Sequence, residues 1–154
     1  MTRADESPRE ITGIVIPVPE AQPYAAHPHI TLLAPFRPRA RLDDPGLRTE
    51  LATFFDSVAP MSFALVEVRR FPVGIDYLAP EPAEPFRVAT LALAREFPDC
   101  PPYGGLFDDV IPHLTLDDGR APVPLPIEVQ SSVAHLVHSH DSTWDVVATF
   151  DLGG

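Results

Sequence analysis

The chain has 154 residues, 45% hydrophobic and 21% charged, the balance of an ordinary globular domain rather than of a disordered tail or a coiled coil. Twenty-two acidic residues against eleven basic ones give a net charge of −11. That argues against a partner held by neutralising a long run of phosphates, and against an anionic membrane surface, while leaving room for one small anion in a local pocket. All eleven basic residues are arginine, so Schiff-base chemistry, a P-loop lysine and a nucleotidyl-lysine mechanism are excluded. The single cysteine, Cys100, excludes an internal disulfide and a Cys-rich zinc finger. Its setting, Pro98-Asp99-Cys100-Pro101-Pro102, reads as a loop carrying a bystander thiol.

Residues 1–10 are polar and charged and read as a flexible N-terminus without a targeting segment. The longest apolar stretch, Ile11 to Val18, is too short to span a bilayer, so a cytoplasmic protein is expected. Residues 11–154 are expected to form one domain. Ile11–Val18 is β-branched and apolar, the pattern of a strand buried on both faces. His29–Leu33 alternates polar and apolar and predicts a second strand, stopped by Pro35. Asp43 and Asp44 before Pro45 are helix-start signals, and Leu47, Leu51, Phe54, Phe55 and Val58 follow at helical spacing, predicting a helix over 45–58.

A strand over 62–70 and another over 73–78 are predicted next, joined by a turn at Phe71-Pro72. Glu84-Pro85 opens a second helix with Phe86, Ala89, Leu93 and Phe97 on one face. A Pro/Gly loop over 98–105 leads to a strand over 111–116, and strands near 127–137 and 143–150 close the chain. The alternation is α+β. It also hides a weak duplication, each half contributing a strand that begins with His and a helix, which predicts two lobes facing each other across a cleft.

The informative feature is His29-Ile30-Thr31-Leu32, which recurs as His113-Leu114-Thr115-Leu116. Residues i and i+2 of a strand share a face. Each copy therefore projects His and Thr together while Ile30/Leu32 and Leu114/Leu116 anchor the strand. Two such strands face to face place two imidazoles and two hydroxyls around one cavity. In-line attack on phosphorus needs a base for the nucleophile's proton and an acid for the departing oxygen. A pair of imidazoles titrating near pH 6.5 supplies both. The Thr hydroxyls can donate to the non-bridging oxygens as charge develops there.

These motifs resemble those of the two-histidine (2H) phosphoesterase superfamily, the 2′-5′ RNA ligase-like proteins. Pro28-His-Ile-Thr-Leu-Leu-Ala-Pro-Phe36 resembles the first motif with its trailing Pro-Phe. The stretch from Phe63 through Arg70-Phe71-Pro72 to Tyr77-Leu78-Ala79-Pro80 is similar to the central hairpin. Pro102-Tyr103-Gly104 through Phe107-Asp108-Asp109-Val110 to His113-Leu-Thr-Leu116 resembles the approach to the second motif, and Trp144 and Phe150-Asp151-Leu152 also fit. The resemblance covers about residues 11–152. It implies a bilobal fold, two pseudo-symmetric lobes of antiparallel strands, each with a helix, around a central cleft. It further implies metal-independent hydrolysis or transesterification of cyclic (2′,3′-type) or 2′-5′ phosphoesters, with no cofactor, on a small nucleotide or oligonucleotide end. By similarity to members that open a 2′,3′-cyclic phosphate to the 2′-phosphate, His29 is the general acid and His113 the general base, although the pseudo-symmetry also permits the reverse. A monomer is expected.

Four further residues are candidates for substrate binding. Arg37, just past the first motif, is either a phosphate ligand or a solvated loop charge beside Arg39 and Arg41. Tyr103, before Gly104-Gly105, either walls the cleft and stacks on a base or sits in a plain turn. Phe36 stacks on a base or packs in the core, and Tyr24 lies on the loop before the first motif, where a lid residue would lie. His135, His138 and His140 carry a rival reading. His-x-x-His-x-His with Asp141 is compatible with a metal site, although a strand would turn His135 away from the other two. A third reading keeps the fold as a non-catalytic nucleotide-binding module.

Overall fold

Two four-stranded antiparallel sheets make up a computed structural model of the chain, which describes residues 10–105 and 109–153. Of the flexible N-terminus expected over residues 1–10, Glu10 instead opens the first strand, and residues 1–9, like residues 106–108 in the approach to the second motif, lie outside the described residues. In chain order the elements are β1 (Glu10–Pro17), β2 (His29–Leu33), α1 (Pro45–Asp56), β3 (Met61–Arg70), β4 (Asp76–Glu81), α2 (Glu84–Glu96), β5 (Leu114–Thr115), β6 (Ile127–Ser131), β7 (Val133–His140) and β8 (Thr143–Asp151). The first sheet runs β2-β1-β7-β8 and the second β5-β4-β3-β6. β2 and β5, which carry or adjoin the two motifs, are thus edge strands, and they lie against one another. Each covers the other's open edge.

β1 is buried on both faces from Thr12 to Ile16, as its continuous apolar run requires. Asp44 caps α1 by accepting a hydrogen bond from the Gly46 amide at 2.9 Å, and Leu47, Leu51 and Phe55 form its buried stripe. The helix stops at Asp56, two residues short of the predicted end, because the Ser57 and Val58 amides turn back onto Phe54 and Phe55 ahead of Pro60. α2 buries Phe86, Ala89 and Leu93, sets Phe86 edge-on to Phe63 of β3, and donates from Thr90 Oγ1 to the Leu32 carbonyl of β2 at 2.6 Å. One apolar core runs through both sheets and both helices.

Three predicted strands are corrected. The strand expected over 73–78 is β4, displaced to Asp76–Glu81. Phe71 and Ile75 close a tight turn through Gly74, whose φ of 91° suits glycine, and the strand begins only after it. Pro80 is accommodated beside an irregularity in the β3–β4 ladder. The strand expected over 111–116 is reduced to Leu114–Thr115, since Pro112 has no amide to give and the Ile111 carbonyl is used by a side chain. His113 therefore stands immediately before β5. The strand expected over 127–137 is two strands broken at Ser132, with β6 in the second sheet and β7 in the first. The duplication is likewise not one sheet per half, because the first sheet combines the N-terminal strands with the C-terminal hairpin β7–β8.

Candidate active site

Register decides which side chains share the face that carries His29. Pro17 lies across from His29 and Val15 across from Thr31, and Val15 is also opposite His135 of β7. Cross-strand partners share a face, so His29, Thr31, Val15 and His135 look one way while Ile14, Ile16, Ile30, Leu32 and Leu136 look into the core. In the second sheet Thr115, Tyr77 and Arg69 form one cross-strand row, and Leu114 with Leu78 forms the buried row on the other face.

The two histidines are held alike. His29 Nδ1 lies 2.6 Å from the carbonyl oxygen of His27, and His113 Nδ1 lies 2.6 Å from that of Ile111. A carbonyl only accepts, so Nδ1 carries the proton in both rings. In the neutral form each Nε2 is then a bare lone pair, and neither Nε2 has a hydrogen-bond partner among the described residues. Burial pushes both histidines below the usual 6.5, against the backbone hydrogen bond that favours the charged ring. The charge of His113 further opposes protonation of His29, so the two rings sense each other across the cleft.

Aromatic groups wall both rings. The Trp144 indole is 4.7 Å from the His29 ring and stacks at 5.2 Å on His27. Trp144 belongs to the far edge strand of the first sheet, so that sheet curls strongly enough to bring its two edges together. On the other side His113 is met edge-on by Phe71 at 5.0 Å and Tyr77 at 5.6 Å, and these two stack on each other at 4.1 Å. Phe71, Tyr77 and the wall-forming role of Trp144 were not assigned from the sequence. Trp144 is the chain's single tryptophan and Tyr77 shares the strand period of a motif neighbour, but neither fact alone assigns a wall.

The structure brings His29, Thr31, His113 and Thr115 to the two abutting edge strands. Tyr103 stands beside them. Its amide donates to the Ala34 carbonyl at 2.9 Å, and its hydroxyl reaches the Ile111 carbonyl, 3.4 Å away, that also holds His113. Its φ of 55° makes it a left-handed residue in the turn. Tyr24 packs against the core, and its carbonyl accepts from the Asp117 amide just beyond β5, at 3.1 Å.

Phe36 and Arg37 are placed otherwise. Phe36 is 8% exposed and meets Phe97 edge-on at 5.1 Å, so its ring is spent on the core rather than offered to a base. Arg37 makes a two-point ion pair with Asp99 at 3.0 and 3.2 Å and lies 4.9 Å over the Phe97 ring. This pairing holds the Asp99 carboxyl down to about 2. Cys100 is buried, and its thiol is pushed up to about 11, the inert state expected of a bystander.

His135 faces away from His138 and His140, as strand alternation requires, and His138 Nε2 pairs with Glu10 at 2.6 Å. Among the described residues no three His, Cys, Asp or Glu side chains converge as metal ligands. A cavity of about 460 Å³ opens beside His29, bordered by His27, Trp144, His135, Gln130 and Ser131. No described helix is long and apolar enough to cross a membrane.

The fold recurs in solved structures. TT0787 of Thermus thermophilus superposes with a TM-score of 0.68 at 20% identity, covering 93% of this chain and 98% of that one. LigT of E. coli complexed with NADP+ gives 0.64 at 13% identity over 96% and 100%. The same protein complexed with 3′-AMP gives 0.61 at 12% over 96% and 100%. No curated protein matches in sequence. The model of the 2′-5′ RNA ligase superfamily matches residues 15–148, a span that contains both His-x-Thr motifs. The chain therefore belongs to the 2′-5′ RNA ligase superfamily, the two-histidine phosphoesterases.

Proposed function

We propose that this protein is a phosphodiesterase that opens cyclic 2′,3′-type, or cleaves 2′-5′, phosphoesters of a small nucleotide or oligonucleotide end, using two histidines as acid and base without a metal. The observation that carries this is the matched tethering of His29 and His113, each through Nδ1 to a backbone carbonyl, leaving two Nε2 atoms for the substrate. In ring opening, His113 Nε2 removes a proton from water as its oxygen forms the new bond to phosphorus. His29, protonated, gives its Nε2 proton to the ribose oxygen as the P–O bond breaks. The two Nε2 atoms thus carry one proton between them in the active state. The Thr31 and Thr115 hydroxyls donate to the non-bridging oxygens, where charge accumulates.

A protein of net charge −11 suits a short anionic substrate better than a long one. Neighbours solved with NADP+ and with 3′-AMP are in keeping with a nucleotide-sized ligand. Chromatographic assay of 2′,3′-cyclic nucleotides and 2′-5′-linked dinucleotides tests the reading. Wild type should turn over at least one class, and His29→Ala and His113→Ala should each lose on the order of 10²–10⁴ in rate. Binding without turnover in the wild type would favour the non-catalytic module instead.

A further inference from the structure

α2 carries an apolar stripe that the core does not use. Phe86, Ala89, Thr90 and Leu93 face inward, whereas Val88 and Leu91 on the outer face are 54% and 44% exposed. Glu84, Val88, Leu91 and Arg95 fall within about 60° of one another around a helix of 3.6 residues per turn. Beside the stripe a groove of about 490 Å³ runs between α2 and the segment from the end of α1 to the start of β3. Phe54, Val58 and Pro60 line one side of it, and Pro85, Val88 and Ala92 the other. No charged side chain lines it among the described residues, in a chain of net charge −11.

The charges at the two ends of the stripe point to what covers it. Glu84 lies four residues before Val88, and Arg95 lies four after Leu91. This row of acid, two apolar residues and base is its own complement when a second copy of the helix runs antiparallel to it. Val88 then comes level with Leu91 of the other copy, and Glu84 with Arg95 at both ends, the isologous contact of a two-fold axis. Both end groups have a position to offer. Arg87 takes Oε1 of Glu84 at 2.8 Å and leaves Oε2, and Arg95 has no partner among the described residues.

We propose that the outer face of α2 is the interface of a two-fold dimer, covered by the same helix of a second copy of this chain, in place of the monomer expected from the sequence. The stripe and the groove together cover roughly 20 Å by 20 Å, on the order of 400 Å². That suits a weak, reversible dimer rather than the roughly 800 Å² per partner of a standard interface. A face whose acid and base balance is also where two chains of like net charge approach with least repulsion.

Sedimentation velocity of the full chain from about 5 µM to 1 mM should show a concentration-dependent equilibrium that stops at two copies. Leu91→Glu, at an exposed position outside the core, should weaken it about tenfold or more, with an unchanged circular dichroism spectrum. Charge exchange tests the antiparallel pairing. Glu84→Arg alone puts two arginines at each end of the contact, and Arg95→Glu alone puts two acids there. Each should weaken self-association severalfold. Mixed in equal amounts, the two single variants face each other with unlike charges at both ends and should pair more tightly than either pairs with itself.

A chain that stays monomeric up to about 1 mM would overturn the dimer. Association that continues past two copies would overturn the two-fold axis. Dimerisation indifferent to Leu91→Glu would overturn the assignment to this face, and no gain on mixing the charge variants would overturn the antiparallel pairing.

Discussion

His29 and His113, 84 residues apart in sequence, are fixed by one device, an Nδ1 hydrogen bond of 2.6 Å to the carbonyl two residues upstream. The carbonyl sets the tautomer and the ring orientation together, which leaves Nε2 as the working atom on both sides. Long-range ¹H–¹⁵N spectra above pH 7.5 should therefore show the Nδ1–H tautomer for both rings. An Nε2–H signature at either would contradict the arrangement.

The pH dependence of catalysis follows from burial. Both histidines are held below the usual 6.5 in the free protein, and kcat/KM reports free-enzyme ionisations. That profile should be bell-shaped with its maximum on the acid side of neutrality. A flat profile between about pH 5 and 9 would remove two titrating imidazoles from the mechanism. Trp144→Ala exposes His29, relieving the desolvation that lowers it, and should move one limb upward in pH.

The same shifts act on stability. A histidine with a lowered folded-state value binds protons more readily when unfolded, so it takes stability away as pH falls below about 6.5 and takes none above it. The double variant His29→Gln/His113→Gln should lose less thermal stability between pH 7.5 and 5.5 than wild type does. An equal or larger loss in the variant would show that other groups carry the acid sensitivity.

Thr31→Val and Thr115→Val keep strand propensity while removing a hydroxyl from each motif. Each is expected to lower kcat by on the order of 10², the cost of one lost donor to transition-state charge, with an unchanged melting temperature. Unchanged kinetics in both would take the hydroxyls out of the chemistry.

Arg37 is occupied by Asp99 and Phe97, which makes it a structural cation. Asp99→Asn should cost no more than about 1 kcal/mol at pH 7, as befits a partly exposed pair, and should leave KM unaltered. Because the folded carboxyl stays ionised down to about 2, that contribution is present above about pH 4 and disappears as pH falls toward 2. A severalfold rise in KM for Asp99→Asn would restore Arg37 as a substrate ligand.

The first motif strand was legible because period-2 alternation is a local signal. His29–Leu33 stands where its pattern placed it, and α1 begins at the Pro45 that its Asp signals announced. What escaped was non-local. The break at Ser132 falls inside a stretch with no Pro or Gly to mark a turn, and only sheet membership separates β6 from β7. Trp144 reaches His29 through the curl of a whole sheet. Phe36 beside a motif could equally face a ligand or the core, and packing against Phe97 decided it. His113 sits outside β5 because its own ring takes the carbonyl that a longer ladder would need.

The most direct test of the two-histidine mechanism is ³¹P NMR of 2′,3′-cyclic nucleotides with wild type, His29→Ala and His113→Ala, all in EDTA. The cyclic signal should give way to a phosphomonoester with wild type alone, the 2′-phosphate if His29 serves the 3′ oxygen. Turnover that EDTA abolishes, or that survives unchanged in either histidine variant, would contradict the mechanism.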